Sequence, residues 1–112
     1  MTGEIYAKFL PQFTELARDR MQRAYEASAR PDEPTLTAVA RELHAIAGEA
    51  GLLGLAAIVP IARNAEEHAK RLRDGRAGAD QADAFVGALD ELRAALDALA
   101  APAAPGAPTR GA

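Results

Sequence analysis

Apolar residues recur at steps of three and four along most of this chain, and nowhere do they alternate with a period of two. The pattern therefore predicts helices and no strands. Leu10, Phe13, Ala17, Met21 and Ala24 share one face of a region running from Glu4 to Ala29. Pro11 predicts a division of that region, because proline is tolerated in a first helical turn and damaging deeper in. A short leading helix followed by a longer one from near Leu10 is the economical arrangement. Arg30-Pro31-Asp32-Glu33-Pro34 breaks the chain, and Pro34 or Thr35 opens the second long helix. Its stripe is Leu36, Val39, Leu43, Ile46, Ala50 and Leu53, and it ends in the glycine cluster Gly51 to Gly54.

A third helical run extends from Leu55 to Leu72, with Leu55, Ile58, Ala62, Ala65, Ala69 and Leu72 on one stripe. Pro60 either kinks it or marks a late start. Its other face pairs Glu66 with Lys70 and Glu67 with Arg71 at the favourable i,i+4 spacing. Asp74 to Ala79 reads as a turn. Asp80 is the expected N-cap of a last helix carrying Phe85, Leu89, Leu92, Leu96 and Leu99 on one side. From Ala101 the chain turns to alanine, proline and glycine with little to bury, which predicts a disordered tail over 101–112. The fold expected for residues 1–100 is all-α: an up-down-up-down antiparallel four-helix bundle with a short N-terminal helical extension.

Composition narrows the function. At 112 residues the chain suits one domain. Alanine dominates the apolar set and aromatics make up only 4%, which favours slim, closely packed helices. A net charge of −3 and a pI near 5.3 lack the basic footprint of a nucleic-acid binder. There is no cysteine, so no disulfide framework and no thiolate metal site is available. His44 and His68 do not have metal-ligand spacing, so no bound metal is expected. The longest mostly apolar run, Ala50 to Ala62, falls short of the roughly 20 residues needed to span a bilayer, and no signal-peptide core opens the chain. A cytoplasmic, monomeric protein without membrane attachment is expected.

One segment invites chemistry. In His44-Ala45-Ile46-Ala47-Gly48-Glu49-Ala50-Gly51-Leu52-Leu53-Gly54, the histidine points more than a quarter turn from the stripe centre, together with Thr37, Arg41 and Gly48. It faces outward. A glycine within a helix costs about 0.5–1 kcal/mol relative to alanine, so Gly48, one turn beyond His44, needs a reason. Clearance for something large approaching the ring supplies one. A neutral imidazole is a competent nucleophile near pH 7, since the ordinary histidine pKa of about 6.5 leaves most of it unprotonated. His68 has no following glycine, lies in a charged run and reads as solvated surface. Arg41, Glu66 and Lys70, taken alone, read as ordinary surface charges. Gly51 and Gly54 read as helix-ending residues.

His44, Ile46, Gly48, Leu53 and Gly54, with Ala40 to Leu43 before them and a helical run after them, resemble the histidine-containing phosphotransfer (HPt) domains over roughly residues 5 to 99. The family pattern runs His-x-Leu-Lys-Gly-x-x-x-x-Leu-Gly. This chain departs from it at Ala47, where many members carry lysine. The resemblance implies a carrier that accepts and donates a phosphoryl group on His44. Its partners would be response-regulator receiver domains and a hybrid histidine kinase. The chain holds no Walker motif and no acidic metal cluster, so it would supply the nucleophile alone, with Mg²⁺ coming from the receiver. Lys70, or else Arg41 one turn before the histidine, would replace the charge absent at Ala47. Glu66 stands where the family often has a glutamine bonding the imidazole, and would orient the ring. A phosphorylation-independent four-helix interaction module is the alternative, and a dimeric kinase-like phosphotransfer protein a weaker third.

Overall fold

A computed structural model describes residues 2–75 and 79–100. It contains four α-helices: α1 (Thr2–Ala29), α2 (Glu33–Leu52), α3 (Ile58–Arg73) and α4 (Ala79–Ala100). Each packs against its two chain neighbours, and α4 closes the ring against α1, with no diagonal contacts among the described residues. The directions alternate. Arg20 reaches Glu49 and Arg23 reaches Glu42, so α1 and α2 run antiparallel; Arg18–Asp97 and Tyr25–Asp90 show the same for α1 and α4. The up-down-up-down bundle expected from periodicity is the fold, and 101–112, expected as a tail, lies outside the described residues.

The stripes close on one core, with Phe85, Leu36, Leu43, Ile46, Leu89, Leu92 and Leu96 as its largest fully buried side chains. Leu10 and Leu99, at the ends of their stripes, are half-buried. Alanine fills much of the rest. On α3 the buried positions Ala62, Ala65 and Ala69 have no side-chain bulk to hold neighbouring helices apart.

Several boundaries differ from those expected. Pro11 does not divide the first helix, which continues through it as the tenth residue of α1. Its ring stands on the exposed side while Phe13, Ala17 and Met21 remain buried, so the packed stripe holds the helix together across the missing hydrogen bond. α2 opens at Glu33, because the Asp32 carboxylate accepts from the Thr35 N–H at 2.9 Å and caps the helix. That bond holds the Asp32 carboxyl below the usual carboxylate range. α3 begins late, at Ile58, which puts Pro60 in the first turn, where its absent N–H costs nothing. Asp80 is the second residue of α4, inside the helix it was expected to cap.

The link between α2 and α3 decides how they face each other. Gly54 has φ +76°, the left-handed region that favours glycine. The Leu55 N–H donates to the Ala50 carbonyl at 2.8 Å and the Gly54 N–H to Gly51 at 3.2 Å, the paired bonds of a Schellman motif. The motif turns Leu53 and Leu55 into the core and sends α3 back alongside α2. Gly54 thus ends the helix as expected, whereas Gly51 is still inside it, with its Cα side facing Val59.

Candidate functional site

The α2–α3 seam places His44 beside the middle of α3. Leu43 and Ile46 are fully buried on either side of it, which holds the backbone, while 74% of the His44 side chain is exposed. Its Nδ1 lies 3.3 Å from both carboxylate oxygens of Glu66. The Lys70 ammonium lies 3.1 Å from Glu66 Oε2, one helical turn further along α3. One carboxylate therefore joins the imidazole to a cation.

Glu66 corrects an expectation. It is buried, the one buried charged residue among those described, and not an ordinary surface acid. At about 100° per residue it sits at the margin of the Ala62–Ala65–Ala69 stripe, on the side that α2 covers. A carboxylate taken from water needs partners, and the Lys70 ammonium and the His44 N–H are those present. The arrangement has a chemical consequence. An ionised carboxylate only accepts, so the neutral tautomer that bonds Glu66 is the one with its proton on Nδ1 and its lone pair on Nε2. The ring is thus held at its Nδ1 edge, with most of the side chain in water.

Gly48 fits the same picture. It is exposed, its backbone is ordinary helix, and a Cβ added there would meet nothing within 4 Å. Nothing inside the fold requires a glycine. Ala47, where the HPt pattern has lysine, is buried, so the cation nearest the histidine's carboxylate comes from α3 instead. Arg41 is exposed one turn before His44, with no ion pair among the described residues, and does not join the cluster. Glu67 and Arg71 form no ion pair among those of the described residues, contrary to their spacing.

His68 also departs from expectation. It is half-buried, and its Nδ1 is closed off from solvent without a hydrogen-bond partner. It lies on the margin of the α3 stripe opposite Glu66, one turn from Ala65 and from Leu72. No group of three or more metal-ligating side chains occurs among the described residues. No helix among them is long and apolar enough to cross a membrane.

The Hpt domain family profile matches residues 8–102. The chain belongs to the Hpt domain family. Membership associates it with phosphotransfer in two-component signalling, in agreement with the resemblance carried by the His44 segment. Among curated proteins it is similar to a gliding motility regulatory protein of Myxococcus xanthus, with 33% identity over 96 residues. That alignment takes in 81% of this chain and 12% of the relative, so the chain spans a small part of the protein it matches. No solved structure matches it.

Proposed function

We propose that this Hpt domain accepts a phosphoryl group on His44 Nε2 and passes it on, acting as a carrier between receiver domains, with a hybrid histidine kinase as a source. The observation that carries the reading is a histidine three-quarters exposed yet tied through Nδ1 to a buried carboxylate. Phosphoryl transfer depends chiefly on positioning and on charge neutralisation. Here positioning is what the fold supplies.

In the step itself, the Nε2 lone pair forms the N–P bond while the P–O bond to the receiver's aspartate breaks and the carboxylate leaves with that electron pair. Nε2 carries no proton, so no base is consumed. The ring gains positive charge as the bond forms, and the Glu66 carboxylate facing Nδ1–H stabilises it. Glu66 is thus a positioning and charge-balancing residue. Lys70 balances the carboxylate and supplies the cation that Ala47 lacks; Arg41 is the second candidate for that role. Gly48 leaves the approach to Nε2 open. Mg²⁺ and the acidic pocket that binds it belong to the receiver. The carrier works as a monomer in the cytoplasm.

The test is to mix the protein with a receiver domain charged by acetyl phosphate in Mg²⁺ and look for acid-labile, alkali-stable phosphate on His44. Labelling is expected. A protein that binds the receiver and gains no such phosphate would be an interaction module instead.

A further inference from the structure

α1 is tied to its neighbours by charge on both seams. Its Arg20 reaches Glu49 of α2 at 2.7 Å, its Arg23 reaches Glu42 of α2 at 2.9 Å, and its Arg18 reaches Asp97 of α4 at 3.2 Å. In each of these pairs α1 supplies the cation. The pairs on the α2 seam have a second property, because their carboxylates belong to the helix that carries the nucleophile. Glu42 precedes His44 by two residues and Glu49 follows it by five, so both lie within about 8 Å of it along the helix axis. Glu49 also adjoins Gly48, whose missing side chain leaves the approach to His44 open.

Exposed ion pairs contribute little to stability, so holding the helices together is a weak reason for two of them on one seam. Their effect on local charge is larger. Between Thr37 and Gly51 the charged residues of α2 are Arg41, Glu42 and Glu49, which leaves that stretch negative by itself. Across the other seam Glu66 and Lys70 cancel each other. A phosphoryl group is an anion, so the stretch around His44 repels it unless its acids are neutralised. Arg20 and Arg23 neutralise both. Arg20 has given up most of its hydration to do so, with 16% of its side chain exposed.

We infer that Arg20 and Arg23 are positioning residues for phosphoryl transfer, acting through Glu49 and Glu42 to turn the field that an incoming phosphoryl group meets from repulsive to attractive. The inference rests on the transfer reading. Neither arginine touches the reacting atoms. At a separation of about 10 Å, and an effective dielectric between about 40 and 80, one unpaired carboxylate changes the arrival of an anion by roughly two- to fourfold at low salt. Screening removes the effect near 1 M salt, where the Debye length falls to about 3 Å.

The test uses phosphoramidate, a small anionic donor, so that the docking of a protein partner does not enter. Nε2 forms the new N–P bond while the donor's own P–N bond breaks and ammonia leaves with that electron pair. Phosphate on His44 is followed by ³¹P NMR in the full chain, in a His68→Gln background that removes the second histidine. At about 10 mM salt, where screening is weak, Arg20→Gln is expected to be phosphorylated roughly two- to fourfold more slowly and Glu49→Gln faster by a similar factor. The double variant should return to the parent rate, and the Arg23 and Glu42 variants should repeat the pattern. All differences should close near 1 M salt. The opposite signs separate charge from architecture, since a pair that merely held α1 on α2 would slow the reaction when broken from either side. Slowing in both single variants, equal rates in all of them, or a deficit that survives 1 M salt would overturn the assignment. Thermal unfolding verifies the fold of each variant; Glu49→Gln, at a half-exposed site, carries the test if Arg20→Gln fails to fold. A charged receiver that leaves wild-type His44 unlabelled would sink the transfer reading, whereas the phosphoramidate rates bear on the arginines alone.

Discussion

The two margins of α3 carry polar residues in mirrored positions, and the bundle treats them differently. On the α2 side Glu66 is buried, yet both carboxylate oxygens have partners in His44 and Lys70. On the opposite margin His68 is half-buried with an Nδ1 that has none. The same stripe geometry thus yields a satisfied cluster at one seam and an orphaned nitrogen at the other. A buried polar atom without a partner costs about 1–3 kcal/mol, whereas a paired one roughly breaks even. The lesson is that burial of a polar group marks a site only when its partners are aimed outward, as the His44 ring is.

The sharpest way to break the comparison is to remove each histidine in turn. His44→Gln should abolish phosphoryl acceptance while thermal unfolding stays near wild type, since most of that side chain is in water. His68→Gln should be labelled as wild type. Labelling of the His44 variant, read by radiolabel transfer, would reject the assignment of the nucleophile.

Next in size are changes to what surrounds the ring. Glu66→Ala should slow transfer by roughly 10–100-fold, the usual scale for losing a partner that orients a functional histidine. It should also release the ring into mixed tautomers, visible in the ¹⁵N shifts of its two nitrogens. Lys70→Ala should slow transfer less and lower stability, because it leaves the buried Glu66 carboxylate with His44 as its remaining partner. If Arg41→Ala is the slower variant instead, the charge role belongs to Arg41.

Gly48 separates fold from function at the same seam. Gly48→Ala should stabilise the protein by about 0.5–1 kcal/mol, since the added Cβ meets nothing and the unfolded chain loses freedom. Gly48→Leu should also fold. Both should slow transfer, leucine more, because a misplacement of ~1 Å can cost as much as 100-fold. Full-rate transfer through the leucine variant would make the glycine's clearance role untenable. On the other margin, His68→Leu should stabilise by up to about 1 kcal/mol by removing the orphaned nitrogen, with no effect on transfer.

The smallest effect is expected far from both margins, where Tyr25 donates to Asp90 at 2.5 Å across the α1–α4 seam. Burial, then the bond to Asp90, pushes the Tyr25 hydroxyl up to about 12. A raised folded-state value means the neutral phenol is favoured in the fold. Its contribution is complete below pH 10 and is lost as pH rises from 10 towards 12. Urea unfolding in that window should show stability falling with pH, and Tyr25→Phe should flatten the slope.

The helices, their core faces and the outward placement of His44 were legible in the chain, because a 3.6-residue period ties sequence position to direction around an axis. The motif running from His44 to Gly54 identified the candidate nucleophile, and Gly54 ended α2 as read. Pro11 misled because local propensity is overridden where a helix has a continuous stripe to bury, and Asp32 because capping depends on one side-chain rotamer. Glu66 and His68 show the deeper limit. A residue at the margin of a stripe is wet or buried according to which neighbour leans over it, and the period of one helix says nothing about the next. Only the packing of α2 against the alanine face of α3 decided that Glu66 would be buried between His44 and Lys70. Only the fold brought Arg20 beside Glu49 and Arg23 beside Glu42, because contacts between distant segments come from how helices assemble and not from the order of residues within them.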